Sequence, residues 1–214
     1  MKPTTILLVD DHTVVRAGYR MLLSGVDDLM IVAEASRGEE ACQLYQEMRP
    51  EVVVMDLSLP GIGGLACIRR LRSRDPAAKI LVFSIHDELI YVVRALEAGA
   101  RGYITKSCAP EILIEAVRRI AGGESFLEPE IAQRLAVQTL GGTVTRPLLS
   151  GLSAREFDVF LLLAKGYTTH EVAEELRLGY KTVANYCTLI KSKLGVNTTA
   201  EMARLAYQNG IFKT

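Results

Sequence analysis

No stretch of this chain is apolar for the roughly 20 residues that a membrane-spanning helix requires. The N-terminus offers only Ile6-Leu7-Leu8-Val9 before two aspartates, Asp10 and Asp11, too little for the apolar part of a secretion signal. The expectation is a soluble, unexported, cytoplasmic protein with no membrane partner. Cysteine is sparse: Cys42, Cys67, Cys108 and Cys187 include no CxxC pair. That spacing supports neither a zinc cluster nor a disulfide framework and leaves reduced thiols. Net charge is also missing, 25 basic residues balancing 25 acidic ones, so the chain as a whole is neither an acidic tail nor a general nucleic-acid binder. Internal repeats and low-complexity tracts are absent from the sequence.

With 214 residues there is room for two ordinary domains. In the first 121 residues, short apolar runs alternate with amphipathic stretches. The runs are Ile6–Val9, Met30–Ala33, Val52–Met55, Ile80–Phe83 and Tyr103–Ile104. Continuous rather than alternating hydrophobicity marks strands buried on both faces. Helical spacing follows in Val15, Tyr19, Leu22 and Leu23; in Leu65, Ile68 and Leu71; in Leu89, Val93 and Leu96; and in Ile112, Ala116, Val117 and Ile120. Five strand–helix units predict an α/β domain over 1–121, a flavodoxin-like (CheY-like), doubly wound, five-stranded parallel sheet in the order 2-1-3-4-5. Residues 122–150 read as a linker opened by Gly122-Gly123. It holds one helix near Pro129–Leu140, with Ile131, Leu135 and Val137 on one side, and then Gly141, Gly142, Thr143, Thr145 and Pro147.

From 151 to 214 the pattern is all-α, with four helices. Ser153 with Glu156, and Thr168 with Glu171, each fit a capping box, and Leu152 is placed to staple onto Phe157. Gly179 precedes a third helix with the stripe Val183, Cys187, Ile190 and Leu194, which Gly195 ends. A fourth runs near Thr199–Gln208.

Three aspartates stand where strands stop: Asp10 and Asp11 after the first, Asp56 after the third. In the expected strand order those strands are neighbours, so the carboxylates converge at one sheet edge. Clustered negative charge is unfavourable unless a cation shares it, and a hard divalent ion with oxygen ligands, Mg²⁺ above all, suits the donors. Ser84 ends the fourth run and Lys106 follows the fifth. A carboxylate nucleophile, a metal site, a hydroxyl and an ammonium at one edge form a constellation for phosphoryl transfer. Any one of these residues alone would read as a cap or a solvated charge; the set at successive strand ends does not. His12, at a strand–helix junction, reads as a cap or packing residue.

Leu8-Val9-Asp10-Asp11-His12, Val54-Met55-Asp56-Leu57-Ser58-Leu59-Pro60-Gly61, Ser84 and Gly102-Tyr103-Ile104-Thr105-Lys106 resemble the receiver domain of two-component response regulators over residues 4–121. The resemblance implies that Asp56 accepts a phosphoryl group from a sensor histidine kinase. It implies that Asp10, Asp11, Asp56 and the Ser58 carbonyl surround Mg²⁺, that Lys106 pairs with phosphoryl oxygens, and that Ser84 and Tyr103 form a coupled switch pair. Ser58 and His86 occupy the positions that tune phosphoryl lifetime. Ser107 stands where many receivers carry proline, which leaves the conformation of the Lys106–Ser107 bond open.

In the C-terminal segment, no acidic residue falls between Glu175 and Glu201, while Arg177, Lys181, Lys191 and Lys193 do. If the stripe on the third helix faces a core, Lys181, Ala184, Asn185, Thr188, Lys191 and Ser192 face outward. That face suits DNA phosphates, and Asn185 suits an adenine edge. Lys181, Lys191 and Lys193 are phosphate candidates, and Tyr186 offers a hydroxyl. Residues 151–214 resemble the helix-turn-helix domain of the NarL/FixJ (LuxR-type) class, through Leu152-Ser153-Ala154-Arg155-Glu156, Ala164-Lys165-Gly166, Glu171–Leu176, Lys181-Thr182-Val183-Ala184-Asn185-Tyr186 and Lys193-Leu194-Gly195-Val196. The resemblance implies that Lys181, Thr182, Ala184, Asn185, Tyr186, Thr188, Lys191 and Lys193 lie at the DNA and that the last helix serves dimerisation. Ala184, Asn185 and Thr188 stand where several members carry basic base readers. Pro60–Leu65 and Pro129–Gln133 are similar to the GacA/UvrY group.

The expectation is a transcription factor that binds double-stranded promoter DNA as a homodimer once Asp56 is phosphorylated. The missing base readers motivate a rival, an adaptor whose output domain binds protein. A third reading, a phosphatase with an aspartate nucleophile, lacks the second aspartate such enzymes place two residues on, where Ser58 stands. No enzymatic function is expected beyond slow self-phosphorylation and self-dephosphorylation.

Overall fold

The computed structural model describes residues 2–140, 149, 151–176, 178–208 and 211–212. The chain divides into two compact units, 1–135 and 136–214. The expected linker residues Gly141, Gly142, Thr143, Thr145 and Pro147, and Arg177 of the basic stretch, lie outside the described residues.

In the first unit six strands, β1 (Thr4–Val9), β2 (Leu29–Ala35), β3 (Val52–Met55), β4 (Ile80–Ser84), β5 (Gly102–Thr105) and β6 (Phe126–Leu127), form one sheet. Its order is β2-β1-β3-β4-β5-β6, and every pairing is parallel. The expected order is present, with one strand more than expected. β6 is two residues long, too short for hydrophobic period to register. Helices α1 (Thr13–Ser24), α2 (Gly38–Met48), α3 (Gly64–Arg74), α4 (Leu89–Glu97) and α5 (Pro110–Ala121) supply the crossovers, and α6 (Pro129–Leu140) follows β6.

Because strand side chains alternate faces, the sheet builds two apolar layers. Ile6, Leu8, Val52, Val54, Leu81, Phe83 and Ile104 share one cluster with Leu23 of α1 and Leu113, Ala116, Val117 and Ile120 of α5. On the other side of the sheet, Leu7, Val9, Val53, Met55 and Val82 are at most 1% exposed. This two-sided burial is why the strands read as unbroken apolar runs.

Two helices depart from expectation. α2 had no recognisable stripe: its buried positions are Gly38, Ala41, Cys42 and Tyr45, and two glutamates open it. On α4 the expected stripe of Leu89, Val93 and Leu96 is half-exposed; Ile90, Tyr91, Val92, Arg94 and Ala95 are buried instead. A buried arginine and a buried tyrosine hide the inward face from a simple polar–apolar reading. Cys42 and Cys67 meet between α2 and α3, sulfur to sulfur at 3.6 Å, and all four cysteines are free thiols.

The second unit holds α7 (Ala154–Ala164), α8 (Thr169–Glu175), α9 (Tyr180–Leu194) and α10 (Thr199–Gln208). Both expected capping boxes are formed, Ser153 with Glu156 on α7 and Thr168 with Glu171 on α8, so each helix start is written locally. α7 packs against α9 and α10, and α8 against α9. The core includes Phe157, Phe160, Val172, Val183, Ile190 and Met202, all 0% exposed. Gly195 ends α9 in the left-handed conformation at φ 65°, where glycine carries no Cβ penalty. Among the described residues, no helix is long and apolar enough to cross a membrane. Of the side chains expected on one side of α6, Ile131 is buried but Val137 is 66% exposed.

Candidate functional site

Two hydrogen bonds just beyond the strands bring the acidic residues together. Asp10 N–H donates to Ala35 O at 3.0 Å, and Asp56 N–H donates to Val9 O at 2.9 Å. The chain then folds tightly after Asp56. Gly64 N–H donates to Leu57 O at 3.1 Å, and a Cβ at Gly64 would overlap the Asp56 carbonyl oxygen and stand 2.6 Å from Leu57 Cα. Only glycine lets α3 begin this close to the loop that carries Asp56.

Asp10 and Asp56 are each 2% exposed. Lys106 reaches both, with Nζ 2.5 Å from Asp10 Oδ2 and 2.7 Å from Asp56 Oδ2. Burial pushes the Asp56 carboxyl above its ordinary value, and the Lys106 ammonium only partly offsets it. Burial pulls Lys106 down, but Asp56 and Asp10 outweigh that and hold it above its ordinary value. Lys106 therefore stays a cation and is fixed in place, as a group that neutralises transferring oxygens must be. Asp10, Asp11, His12 and Asp56 each direct one ligand atom into a space where all lie within 4.8 Å of one another. Three carboxylates, two of them buried, fit a hard divalent cation such as Mg²⁺. His12 occupies the N-cap position of α1 without a side-chain capping bond. Its Nδ1 is 2.8 Å from Asp11 Oδ1 instead.

The rim is continuous. Ser58 N–H donates to Asp56 Oδ1 at 3.3 Å, and Ser58 Oγ lies 3.1 Å from His86 Nε2. His86 N–H donates to Ser84 Oγ at 3.3 Å, and Tyr103 O–H donates to the His86 carbonyl at 2.8 Å. The His86 ring stacks on Tyr91, centroids 4.0 Å apart. Tyr103 is fully buried, which pushes its phenol well up. Tyr103, expected as one half of a switch pair with Ser84, is thus turned inward. The Lys106–Ser107 bond is trans.

On α9, Val183, Ile190 and Leu194 are buried and Cys187 is half-buried. Lys181, Thr182, Asn185, Thr188 and Ser192 are exposed; Ala184, Tyr186 and Lys191 are half-exposed. Thr188 O–H donates to Ala184 O at 3.2 Å. Lys193 is exposed too, but it is engaged within the fold: its Nζ is 2.7 Å from Glu156 Oε2, the capping carboxylate of α7. The turn from α8 to α9 is tied by Leu178 N–H to Ala173 O at 2.8 Å and Thr182 N–H to Gly179 O at 2.9 Å.

A family model described as the response regulator receiver domain matches residues 6–118, and one for bacterial regulatory proteins of the luxR family matches 150–206. The chain belongs to the response regulators. It is similar to the transcriptional activator protein ExaE of Pseudomonas putida, at 46% identity over 97% of this chain and 98% of that one. It is also similar to the response regulator UvrY of Escherichia coli (strain K12), at 35% identity over 96% of this chain and 94% of that one. Among solved structures, a LuxR-family two-component response regulator from Aurantimonas sp. SI85-9A1 superimposes with a TM-score of 0.63 at 44% identity, covering 65% of this chain and 99% of that one.

As a response regulator, then, the chain brings every receiver residue expected from its sequence to one sheet edge. Two neighbours of the site were not foreseen. Arg16 on α1 donates from Nη1 to the Asp10 carbonyl at 2.5 Å, bracing the acidic loop; it reads in sequence as one more surface arginine. Glu128 was assigned to linker, and its hydrogen bonds lead back to β5, because the strand that delivers it is too short to be seen. The response regulator's α9 carries the face expected of it, except that Lys193 is engaged within the fold.

Proposed function

We propose that Asp56 is the phosphoacceptor, and that its loading by a sensor histidine kinase governs dimerisation and promoter binding through α9. The observation that carries this is the Lys106 ammonium held on Asp10 and Asp56 together. A nucleophilic carboxylate and the cation that would stabilise the transferred oxygens are already side by side. Asp10, Asp11, Asp56 and the Ser58 carbonyl are the ligands assigned to Mg²⁺, which would supply charge neutralisation at the phosphoryl oxygens. An Asp56 carboxylate oxygen attacks the phosphorus in line as the P–N bond to the kinase histidine breaks and the imidazole leaves, and Lys106 exchanges a carboxylate for a phosphoryl oxygen. Ser84 Oγ, now accepting from His86 N–H, turns to the new group, and the loop that fixes Tyr103 responds. Ser58 and His86, joined at the rim, govern the access of water and so the lifetime of the phosphoryl group. α1, which begins two residues after Asp11, presents Val14 at 85% and Met21 at 81% exposure, an apolar surface suited to a kinase helix.

For DNA, Lys181 and Lys191 are assigned to phosphates, Asn185 to a base edge, and Thr182, Ala184, Tyr186 and Thr188 to the same interface. Lys193 contributes by holding α9 to α7. Two copies, paired through α10, address half-sites about 34 Å apart or a multiple of that. The DNA-binding domain proposed is 151–214, acting in the cytoplasm, while the receiver runs past the expected limit at 121 to take in β6. The test is acetyl phosphate with Mg²⁺. Wild type should gain one phosphoryl mass and then enrich specific promoter fragments from genomic DNA, whereas Asp56→Asn should do neither. Equal mass gain by the variant overturns the acceptor assignment, and no enrichment of DNA by loaded wild type overturns the output.

A further inference from the structure

The end of β5, just before Lys106, is held by a residue outside the phosphoryl pocket. Glu128 directly follows β6 and directly precedes α6. Its Oε2 accepts from Thr105 N–H at 2.7 Å and from Thr105 O–H at 2.8 Å. Thr105 Oγ1 is in turn 2.9 Å from Ser107 Oγ. Glu128 N–H donates to Tyr103 O at 3.0 Å. After two residues β6 has no further carbonyl to offer, and the Glu128 carboxylate continues its ladder. Thr105 is 5% exposed, so its N–H would be costly to leave unmet, and a charged acceptor makes the stronger bond. On the opposite side Lys106 N–H donates to Ser84 O at 2.8 Å. The end of β5 is thus gripped by Ser84 on one side and Glu128 on the other, with Lys106 between the two hydroxyl residues that Glu128 organises.

The same segment touches the other loop of the site. Arg134 on α6 places Nη1 3.0 Å from Asp87 Oδ2, and Asp87 follows His86 in the loop between β4 and α4. With Asp87 64% exposed, that pair adds little stability. Glu128 is the firmer tie.

We propose that Glu128 is a positioning residue for the phosphoryl pocket, setting Lys106 through Thr105 and gearing the pocket to α6. The inference rests on the reading of Asp56 as phosphoacceptor. If loading shifts the β5–α5 loop, α6 responds through Glu128, and by reciprocity a released Glu128 alters loading. A displacement of about 1 Å in a group that orients transfer costs up to roughly a hundredfold in rate.

The experiment uses the full chain with Mg²⁺. Loading of Asp56 from acetyl phosphate is followed by intact mass, and amide exchange over 129–135 is compared with and without beryllofluoride. Glu128→Ala should load about tenfold more slowly, while Glu128→Gln, which keeps an acceptor oxygen, should stay within about twofold of wild type. Wild-type amides over 129–135 should change on adding beryllofluoride, and those of Glu128→Ala should not. A merely structural Glu128 would lower the melting temperature and leave the loading rate alone. Should Glu128→Ala not fold, Thr105→Val keeps the backbone bond, loses the hydroxyl, and should load about threefold more slowly. Loading at the wild-type rate by Glu128→Ala or, should that variant not fold, by Thr105→Val, or indifference of 129–135 to beryllofluoride, overturns this inference alone. Wild type that takes up no phosphoryl group overturns the Asp56 reading and this inference with it.

Discussion

In the receiver, the groups assigned to the chemistry are buried and already paired: Asp56 and Asp10 share Lys106, and Ser84, His86 and Tyr103 are joined by hydrogen bonds. Along α9 the opposite holds, with Lys181, Asn185 and Thr188 facing solvent. The difference follows from the task. Transfer of a phosphoryl group needs fixed charges in a low-dielectric setting, where they act without reorganisation. A DNA-reading face must be free to exchange water and counterions for phosphates. Substitutions should therefore be costly in the first unit and mild on the face of α9, except where α9 is tied inward.

The sharpest way to break that contrast is Asp56→Asn, which should abolish phosphoryl uptake outright, read by intact mass. Next comes Gly64→Ala. A Cβ there collides with backbone, so the receiver should lose about 3 kcal/mol of stability, measured by urea unfolding. If the loss is negligible, the tight loop after Asp56 is not what holds that carboxylate in place. Third is the inward tie of the helical unit. Glu156→Ala removes a helix cap and the Lys193 pair together, for about 2 kcal/mol, read as faster amide exchange in α7. Acid should do the same reversibly. Burial pushes the Glu156 carboxyl up, but the Lys193 ammonium and the Ser153 hydrogen bonds outweigh it and hold it below the ordinary carboxylate value. A lowered folded value means the stabilisation is complete above the unfolded value and is lost as pH falls through the folded one. Exchange in α7 that is flat across that acid range would count against the tie. The smallest effect is Lys191→Ala. It should weaken binding to a recovered promoter fragment about equally for all sequences and flatten the salt dependence by about one unit of slope. Lys193→Ala, by contrast, should lower stability more than it changes that slope.

The same contrast governs how much the amino acids disclosed. Asp10, Asp11, Asp56, Ser84 and Lys106 were legible because each follows an apolar run, and parallel topology sends all such ends to one edge. The capping boxes were legible because Ser153, Glu156, Thr168 and Glu171 act within one helical turn. What failed to show has physical causes too. The buried positions of α2 are few and include Gly38 and Cys42, and Arg94 sits inside α4, so polarity misreports both faces. β6 is below the length at which a period exists. Glu128 and the Lys193–Glu156 pair depend on contacts between residues far apart in the chain, which no local pattern encodes.

The placement of β1 between β2 and β3 also bears on how the molecule comes to exist. Ile6 cannot complete its sheet until Val52 has been made and brought back to it, a long loop to close before any reward, whereas the helical unit begins from two capping boxes that form within single turns. Topologies rich in distant pairings fold slowly, and local ones quickly. Synthesis runs from the N-terminus, so the slower half leaves the ribosome first and has a head start over the quicker one.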